Sequence, residues 1–412
     1  MKYDSAAQTT AGTVGGAVVH LAKRILNVAP SATLALSNQT KALKAKGADV
    51  IDLSIGQPDF QTPKTIDEAA IAAIQAGNAS FYTAATGIPE LKQAISDRIF
   101  AQDGVRYPAS QIVATTGAKF ALYALFQVYL NPGDEVLIPV PYWVSYEEQI
   151  KLASGTPHLV MPSEGHKVSV DDLEAARTDK TRALIINSPQ NPSGVVYTRT
   201  ELTLIGNWAL QHHILVITDD IYRDLIYNGT TFTAMISINP DIVANTVLIS
   251  GVSKSYAMTG WRIGYAAGPE KLMQAMATFI SHTTSNPAAV SEYAAVAALT
   301  GDQQIVETMR QAFEERLNLF YDLLAEIPGF DMGDKPQGAF YLFPNIKRAA
   351  QLSHYGTVDD FISALLAETG VAIVPGRAFG MPDHARISYC KDLRQLTRGR
   401  TTYSRICGQV II

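Results

Sequence analysis

The chain has 412 residues, enough for two domains or for one large α/β unit with an appendage. Apolar residues make up 47% and charged residues 17%, ample material for a buried core, so a disordered chain is excluded. Lys and Arg number 33 against 38 Asp and Glu, a net charge of −5 with no basic run, which argues against nucleic acid or anionic membrane as a main partner. Two cysteines, Cys390 and Cys407, are too few for a disulfide framework or a cysteine metal site and suit a reducing, cytoplasmic setting.

No stretch approaches the ~20 continuous apolar residues of a membrane span. Residues 11–22 (AGTVGGAVVHLA) are fairly apolar but hold three Gly and a His, and they read as a loose arm or short helix, not as a signal peptide. From residue 112 onward, short β-rich runs alternate with amphipathic stretches. Strands are expected at 112–116, 135–139, 183–187, 214–218, 247–251 and 262–268. The stretch 118–130 reads as a helix with Phe120, Ala121, Ala124, Leu125 and Val128 on one face, stopped by Asn131-Pro132-Gly133-Asp134. Strands alternating with helices imply a mainly parallel sheet covered on both sides. After residue 270 the pattern is mostly helical, and the runs 338–344, 370–376 and 385–390 suggest a second, smaller sheet. The expected organisation is an arm (1–24), a large central domain (63–299) and a small α/β domain built from both chain ends (25–62 with 300–412). A ligand cleft is expected between the two domains.

Five features could carry chemistry. Lys254 follows a predicted strand, with the cation Arg262 eight residues on; a lysine so placed can have a lowered pKa and act as a nucleophile. Thr115-Thr116-Gly117-Ala118-Lys119 is a strand-to-helix turn, where free N–H groups and the helix dipole favour an anion. Asp219 closes the apolar run ILVIT, which puts its carboxylate at the strand edge where open α/β sheets bind ligands. Asn191, before Pro192, lies in the turn-rich loop NSPQNPSG, and Arg386 lies in a strand-like run where a guanidinium could clamp a carboxylate. Taken alone, Lys254 is more often a surface lysine, the 115–119 turn an ordinary βα turn and Arg386 a salt-bridge partner, and NSPQNPSG reads equally as a turn-rich loop. No His or carboxylate at ligand spacing completes a metal shell around Asp219 and Asp220, so no metal is expected.

Together these are the parts needed to hold pyridoxal phosphate and an amino acid. Order and spacing carry this further. The chain resembles the class I, fold-type I pyridoxal-phosphate aminotransferases, and within them the bacterial aspartate aminotransferase branch, from about Leu21 to Leu396. The segment SKSYAMTGWRIGY (253–265) is the most specific part of the resemblance. GQPDF (56–60), YTAATGIPEL (82–91), PYWVSY (141–146) and NSPQNPSG (187–194) support it.

The resemblance implies that Lys254 forms a Schiff base with pyridoxal 5′-phosphate, that Asp219 pairs with the pyridine nitrogen, and that Tyr222 and Asn191 reach the ring 3′-oxygen. It further implies that Gly117, Ala118, Lys119 and Arg262 hold the phosphate, that Trp143 stacks on the ring, and that Tyr82 reaches the phosphate of the neighbouring subunit in a homodimer. Arg386, with Asn191 and Gly56, would grip the substrate α-carboxylate, and Ser31 and Lys119 its distal carboxylate. The implied activity is ping-pong transfer of the amino group of aspartate or glutamate to a 2-oxo acid such as 2-oxoglutarate. Alternatives are an aminotransferase for aromatic or other amino acids, or for prephenate, and a pyridoxal-phosphate C–S lyase. Ala29 stands where relatives that accept prephenate tend to carry a Lys, and Gly251 where some relatives have a phosphate-binding Ser. A transcription regulator on this scaffold would need an added DNA-binding module of helical type, and only about 20 residues precede the match. The sequence after Leu396 loses a clear helical period.

Overall fold

The computed structural model describes residues 20–398 and, upstream of them, the short strands Thr13–Val14 and Ala17–Val18. These two strands pair antiparallel, so the short-helix alternative for 11–22 is corrected to a β-pair at its centre, with helix only from Lys23 to Leu26. A Gly-Gly step between Thr13-Val14 and Ala17-Val18 is a hairpin signal that outweighs the apolar content.

The centre of the molecule is a seven-stranded sheet in the order Ile112–Thr116, Ile263–Ala267, Thr246–Gly251, Leu215–Asp219, Thr181–Asn187, Glu135–Pro139, Thr156–Val160. Only Ile263–Ala267 runs antiparallel to its neighbours. Side chains alternate across the sheet, as the two-residue period of a strand requires. Val136, Ile138, Ile185, Ile217, Val247 and Ile249 join Ala121, Leu125 and Phe126 on one face. Leu137, Leu184, Ile186 and Val216 join Leu202, Ile205 and Trp208 on the other. Both faces are buried, which is why these strands read as continuous apolar runs.

All six expected large-sheet strands are present, within one residue of the expected bounds except for an earlier start at Thr181. The edge strand Thr156–Val160 was not expected; its sequence TPHLV is half exposed and carries no apolar period. The helix Ala118–Tyr129 buries Ala121, Leu122, Ala124, Leu125 and Phe126, while Phe120 and Val128 are only half-buried. Its buried stripe is therefore rotated and wider than the expected face, because it packs on the sheet and on its neighbouring helices together.

The reversed strand organises the site. Its first residues lie beside the last residues of the parallel strands, with Ile263 opposite Thr116 and Gly264 opposite Gly251. Arg262 thus arrives next to the turn at Gly117, and Lys254 follows the neighbouring strand on the same edge. The approach is close: a Cβ on Gly264 would lie 2.1 Å from the backbone nitrogen of Ala118.

Beyond residue 300, Tyr341–Leu342, Ala385–Ser388 and Val374–Pro375 form a three-stranded antiparallel sheet. Val371–Ala372 pairs in parallel with Ile51–Asp52 and so joins the late chain to the early chain. The helix Gln304–Ala325 buries Phe313, Leu317, Phe320 and Leu324 on one stripe, against Phe340, Phe361 and Ile387.

The close approach at Gly264 generates a stability prediction. Gly264→Ala forces backbone apart where neither chain can yield, and a loss of about 1–3 kcal/mol is expected, read as a lower denaturant midpoint. Gly260→Ala is the control, because nothing lies within 4 Å of a Cβ there. Equal midpoints for the two variants would contradict the packing argument.

Candidate active site

A cavity of about 370 Å³ opens at the edge where the parallel strands end. At its floor is Asp219, 4% exposed. Its Oδ2 accepts a hydrogen bond from the Tyr146 hydroxyl at 2.7 Å, and its Oδ1 accepts one from the Ile221 N–H at 3.3 Å. Burial pushes its carboxyl from the ordinary 3.8 up to about 6, while those two donors and the nearby Lys254 favour the anion. The adjacent Asp220 is also buried but is not in the cavity wall, and burial pushes it further, to about 8. Of the two neighbouring carboxyls, Asp219 is therefore the one more readily held as an anion.

The parallel register sets Asn187 beside Asp219. Asn187 Nδ2 donates to the Asp219 carbonyl at 2.7 Å, and its Oδ1 accepts from the Asn191 N–H at 2.8 Å. The loop after the strand is thereby tied to the Asp219 backbone. Asn191 Oδ1 in turn accepts from Arg386 Nη1 at 3.1 Å. Arg386 is 3% exposed; its Nη2 donates to the Ser54 carbonyl at 2.7 Å, and its Nε is buried without a partner. The guanidinium lies over the rings of Tyr341 and Phe379, at 4.5 and 5.0 Å from their centroids. Such a fork keeps a hydrogen-bonding donor in reserve for a carboxylate.

Lys254 Nζ donates to the Gly56 carbonyl at 2.7 Å. Burial, with the charges of Arg386 and Arg262, brings its ammonium down to about 8, against the opposing influence of Cys390 and Asp219. Gly56 is required there, since a Cβ would lie 2.2 Å from the Tyr341 hydroxyl. That hydroxyl pairs with the Tyr222 hydroxyl at 2.8 Å. On the far wall, Gly117 (φ 82°) begins the helix Ala118–Tyr129, whose first turn leaves N–H groups unpaired within the helix. Arg262 packs against Gly117 so closely that a Cβ would lie 2.2 Å from Nη2. Ser253 and Thr259 line the same cavity. Lys119 extends over the Trp143 ring, 4.9 Å from its centroid, and partial burial and then the Arg262 cation hold its ammonium below the usual lysine range.

The structure brings Gly56, Ala118, Lys119, Trp143, Asn191, Asp219, Tyr222, Lys254, Arg262 and Arg386 into this one cavity, with Gly117 directly behind the wall. Two expected residues lie elsewhere. Ser31 caps the helix Ala32–Ala45, accepting from the Leu34 N–H at 3.4 Å, while Thr33, Leu34 and Ser37 reach the cavity. Tyr82 stands 93% exposed on the outer surface. Sequence reasoning missed Tyr146, Asn187 and Tyr341. Asn187 gave a usable signal, a polar residue closing an apolar strand as Asp219 does. Tyr146 gave only its place three residues after Trp143.

The family described as aminotransferase class I and II matches residues 48–400, and the chain belongs to that family. It is 52% identical over 375 residues to an asparagine–oxo-acid transaminase of Streptococcus mutans, covering 90% of this chain and 95% of that one. It is 50% identical over 378 residues to an aspartate aminotransferase of Geobacillus stearothermophilus, covering 91% and 96%. Among solved structures, the aspartate aminotransferase from Rhizobium meliloti superposes with a TM-score of 0.89 at 37% identity, covering 95% of this chain and 99% of that one. The Thermus thermophilus aspartate aminotransferase with maleate gives 0.88 at 34%, covering 94% and 100%.

The Tyr146–Asp219 contact can be tested on the protein alone. The folded carboxyl titrates at about 6 against an ordinary 3.8, so the native state keeps a proton that the unfolded chain has released. Asp219 therefore subtracts stability as pH rises through that window. Tyr146→Phe removes a donor that favours the anion, so protonation must move to higher pH. A carboxyl carbon-13 titration of the cofactor-free protein reads this directly, and an unmoved titration would refute the contact.

Proposed function

We propose that this aminotransferase moves the α-amino group of aspartate or glutamate to a 2-oxo acid such as 2-oxoglutarate, with pyridoxal 5′-phosphate as its cofactor. The observation that carries the reading is one cavity holding a lysine with a depressed pKa, a buried carboxylate and a buried guanidinium with a free donor. These groups fit the cofactor. The amine of Lys254 suits its aldehyde, and the carboxylate of Asp219 a protonated ring nitrogen. Tyr222 and Asn191 suit the ring oxygen, and Trp143 a stacked face. The helix start at Gly117, Ala118 and Lys119, with Arg262, suits the phosphate. When bound, pyridoxal phosphate supplies an electron sink that no side chain can.

The chain's own residues do the rest. Arg386, braced by Asn191 and Ser54, binds the substrate α-carboxylate, with Gly56 alongside, and so orients the bond from Cα to its hydrogen. Lys254 Nζ, with its pKa near 8, takes the proton from the substrate Cα as a neutral amine. Asp219, whose anion the Tyr146 hydroxyl and the Ile221 N–H favour, would hold the proton on the pyridine nitrogen of the bound cofactor. Two half-reactions in turn give ping-pong kinetics.

Lys119 is the cation we assign to a distal carboxylate, and Thr33 and Ser37 in the cavity wall add neutral hydroxyls. In support, a similar Thermus enzyme is described with maleate, a dicarboxylate. Asparagine is a second reading, favoured by the Streptococcus relative and by those hydroxyls, which can serve an amide.

We further propose a homodimer in which Tyr82 serves the partner's cofactor, its 93% exposure leaving it free to do so. Residues 25–62 with 300–412 are taken as the small domain and 63–299 as the cofactor-binding one. Ser54, Gly56, Tyr341 and Arg386 would face Lys119, Asp219 and Lys254 across the cavity. Among the described residues no helix is long and apolar enough to cross a membrane, and a cytoplasmic setting fits the cysteine content.

Two measurements test the reading. Lys254→Ala should bind pyridoxal phosphate without the absorbance of a lysine-linked cofactor and should lose transamination; an active variant with an unchanged spectrum would end the assignment. Lys119→Ala should lower kcat/KM for aspartate about 10–100-fold more than for alanine, the loss of one hydrogen bond to a charged group. An unchanged ratio would mean that Lys119 does not read the side chain.

A further inference from the structure

The motif YTAATGIPEL (82–91) contributes only Tyr82 to the proposed reaction. Its remaining residues form a turn that passes from full exposure to the core. Phe81 and Tyr82 are 77% and 93% exposed, whereas Ile88 and Leu91 are buried. Just beyond these two rings the turn is anchored by Glu292.

Glu292 lies in the first turn of the helix Ala289–Thr300 and is fully buried. Its Oε2 accepts from the Thr83 hydroxyl at 2.6 Å, and its Oε1 accepts from the Ile88 N–H at 3.0 Å. One carboxylate thus closes both ends of the turn. Between them, the Thr86 carbonyl accepts from the Ala114 N–H at 3.0 Å and fixes the turn to the large sheet. Gly87 has φ 98°, and a Cβ on it would lie 2.8 Å from the Ala114 Cβ and 3.3 Å from Glu292 Oε1. The glycine of the motif is therefore explained by the clamp.

The helix around Glu292 is otherwise packed with Ala294, Ala295, Ala298 and Leu299. A carboxylate there is costly: burial raises its pKa, the two hydrogen bonds oppose that, and no cation is among the groups acting on it. An apolar side chain would suit the packing but would leave the buried Ile88 N–H without its acceptor. What an apolar residue cannot do is hold Thr83 and Ile88 in a fixed relation.

We infer that Glu292 is a positioning residue for the neighbouring subunit's site: it clamps the Thr83–Ile88 turn and so sets where Tyr82 stands outside its own chain. The inference rests on the homodimer reading given above.

The experiment uses cofactor binding, oligomeric state and hybrid dimers. Glu292→Ala should raise the dissociation constant of pyridoxal phosphate about tenfold, as Tyr82→Phe should, while sedimentation still shows a dimer. The double variant should be no weaker than either single one, because both act through one side chain. Glu292→Gln should recover most of the affinity, since its amide oxygen can still accept from Ile88. If Glu292→Ala does not fold, Thr83→Val, which removes one of the two bonds, takes its place. Hybrids then give the direction of action. A dimer of one Glu292→Ala chain and one Lys254→Ala chain has one site with an intact Lys254 and an intact partner Tyr82 turn, and that site should be active. An inactive hybrid, additive effects, or a Glu292→Ala protein with reduced thermal stability but native cofactor affinity would each overturn the inference. A wild-type protein that sediments as a monomer would instead overturn the dimer reading on which it stands.

Discussion

A carboxylate at the floor of a closed-in cavity is the constraint around which this molecule is arranged. Burial pushes Asp219 toward its neutral form, and a neutral acid cannot hold a proton on a ring nitrogen. The surroundings bring it back toward ionisation without completing the task. Tyr146 and the Ile221 N–H each donate one hydrogen bond, and the nearby Lys254 cation adds attraction. The resulting value near 6 leaves Asp219 responsive to any cation placed against it. A site balanced in this way gains most from a ligand that itself brings positive charge, as a protonated pyridine does.

That balance dictates much of the local architecture. Tyr146 must start a helix within reach of the strand end, and the helix Ser145–Leu152 does so. Asn187 must lie level with Asp219, which only a parallel pairing in this register provides. From Asn187 the chain of contacts runs through Asn191 to Arg386 and on to Ser54. The backbone carbonyl of Asp219 and the guanidinium of Arg386 are linked by one hydrogen-bonded path. The cavity is closed by residues from both ends of the chain, Ser54 and Gly56 from one and Tyr341 and Arg386 from the other.

Much of this was legible in sequence, and the parts that were not have physical reasons. The central strands announce themselves because both of their faces are buried. The edge strand Thr156–Val160 is half exposed and leaves no such trace. The runs 338–344, 370–376 and 385–390 do hold strands of the smaller sheets, but these are only two to four residues long, so their bounds left no periodicity to read. Lys254, Asp219, Asn191 and Arg386 became readable only in combination. Asn187 was marked by closing an apolar strand, but its partners are chosen by strand register, and those of Tyr146 by where a helix begins, neither of which is written in local spacing. At Ser31 the position pointed to substrate, yet the hydroxyl is engaged at a helix N-cap with Thr33 and Leu34. The irregularity expected after Leu396 falls mostly in residues 399–412, outside the described residues; helix continues through Arg398.

The two lysines of the cavity show how one physical effect can serve opposite ends. Loss of water lowers the ammonium pKa of both, and the Arg262 charge acts on both in the same direction. Lys254 is enclosed between the rings of Tyr222 and Phe340, at 5.9 and 5.8 Å, and its value near 8 puts the neutral amine within easy reach at neutral pH. Lys119 instead lies along a single indole face, with its residue still exposed to solvent. An ammonium so placed keeps part of its hydration and gains attraction from the ring, so the cation remains the favoured form. One lysine is thereby available to accept a proton and the other to meet a carboxylate. The difference is set by how completely the two chain ends close over each, not by which residues stand next to them in sequence.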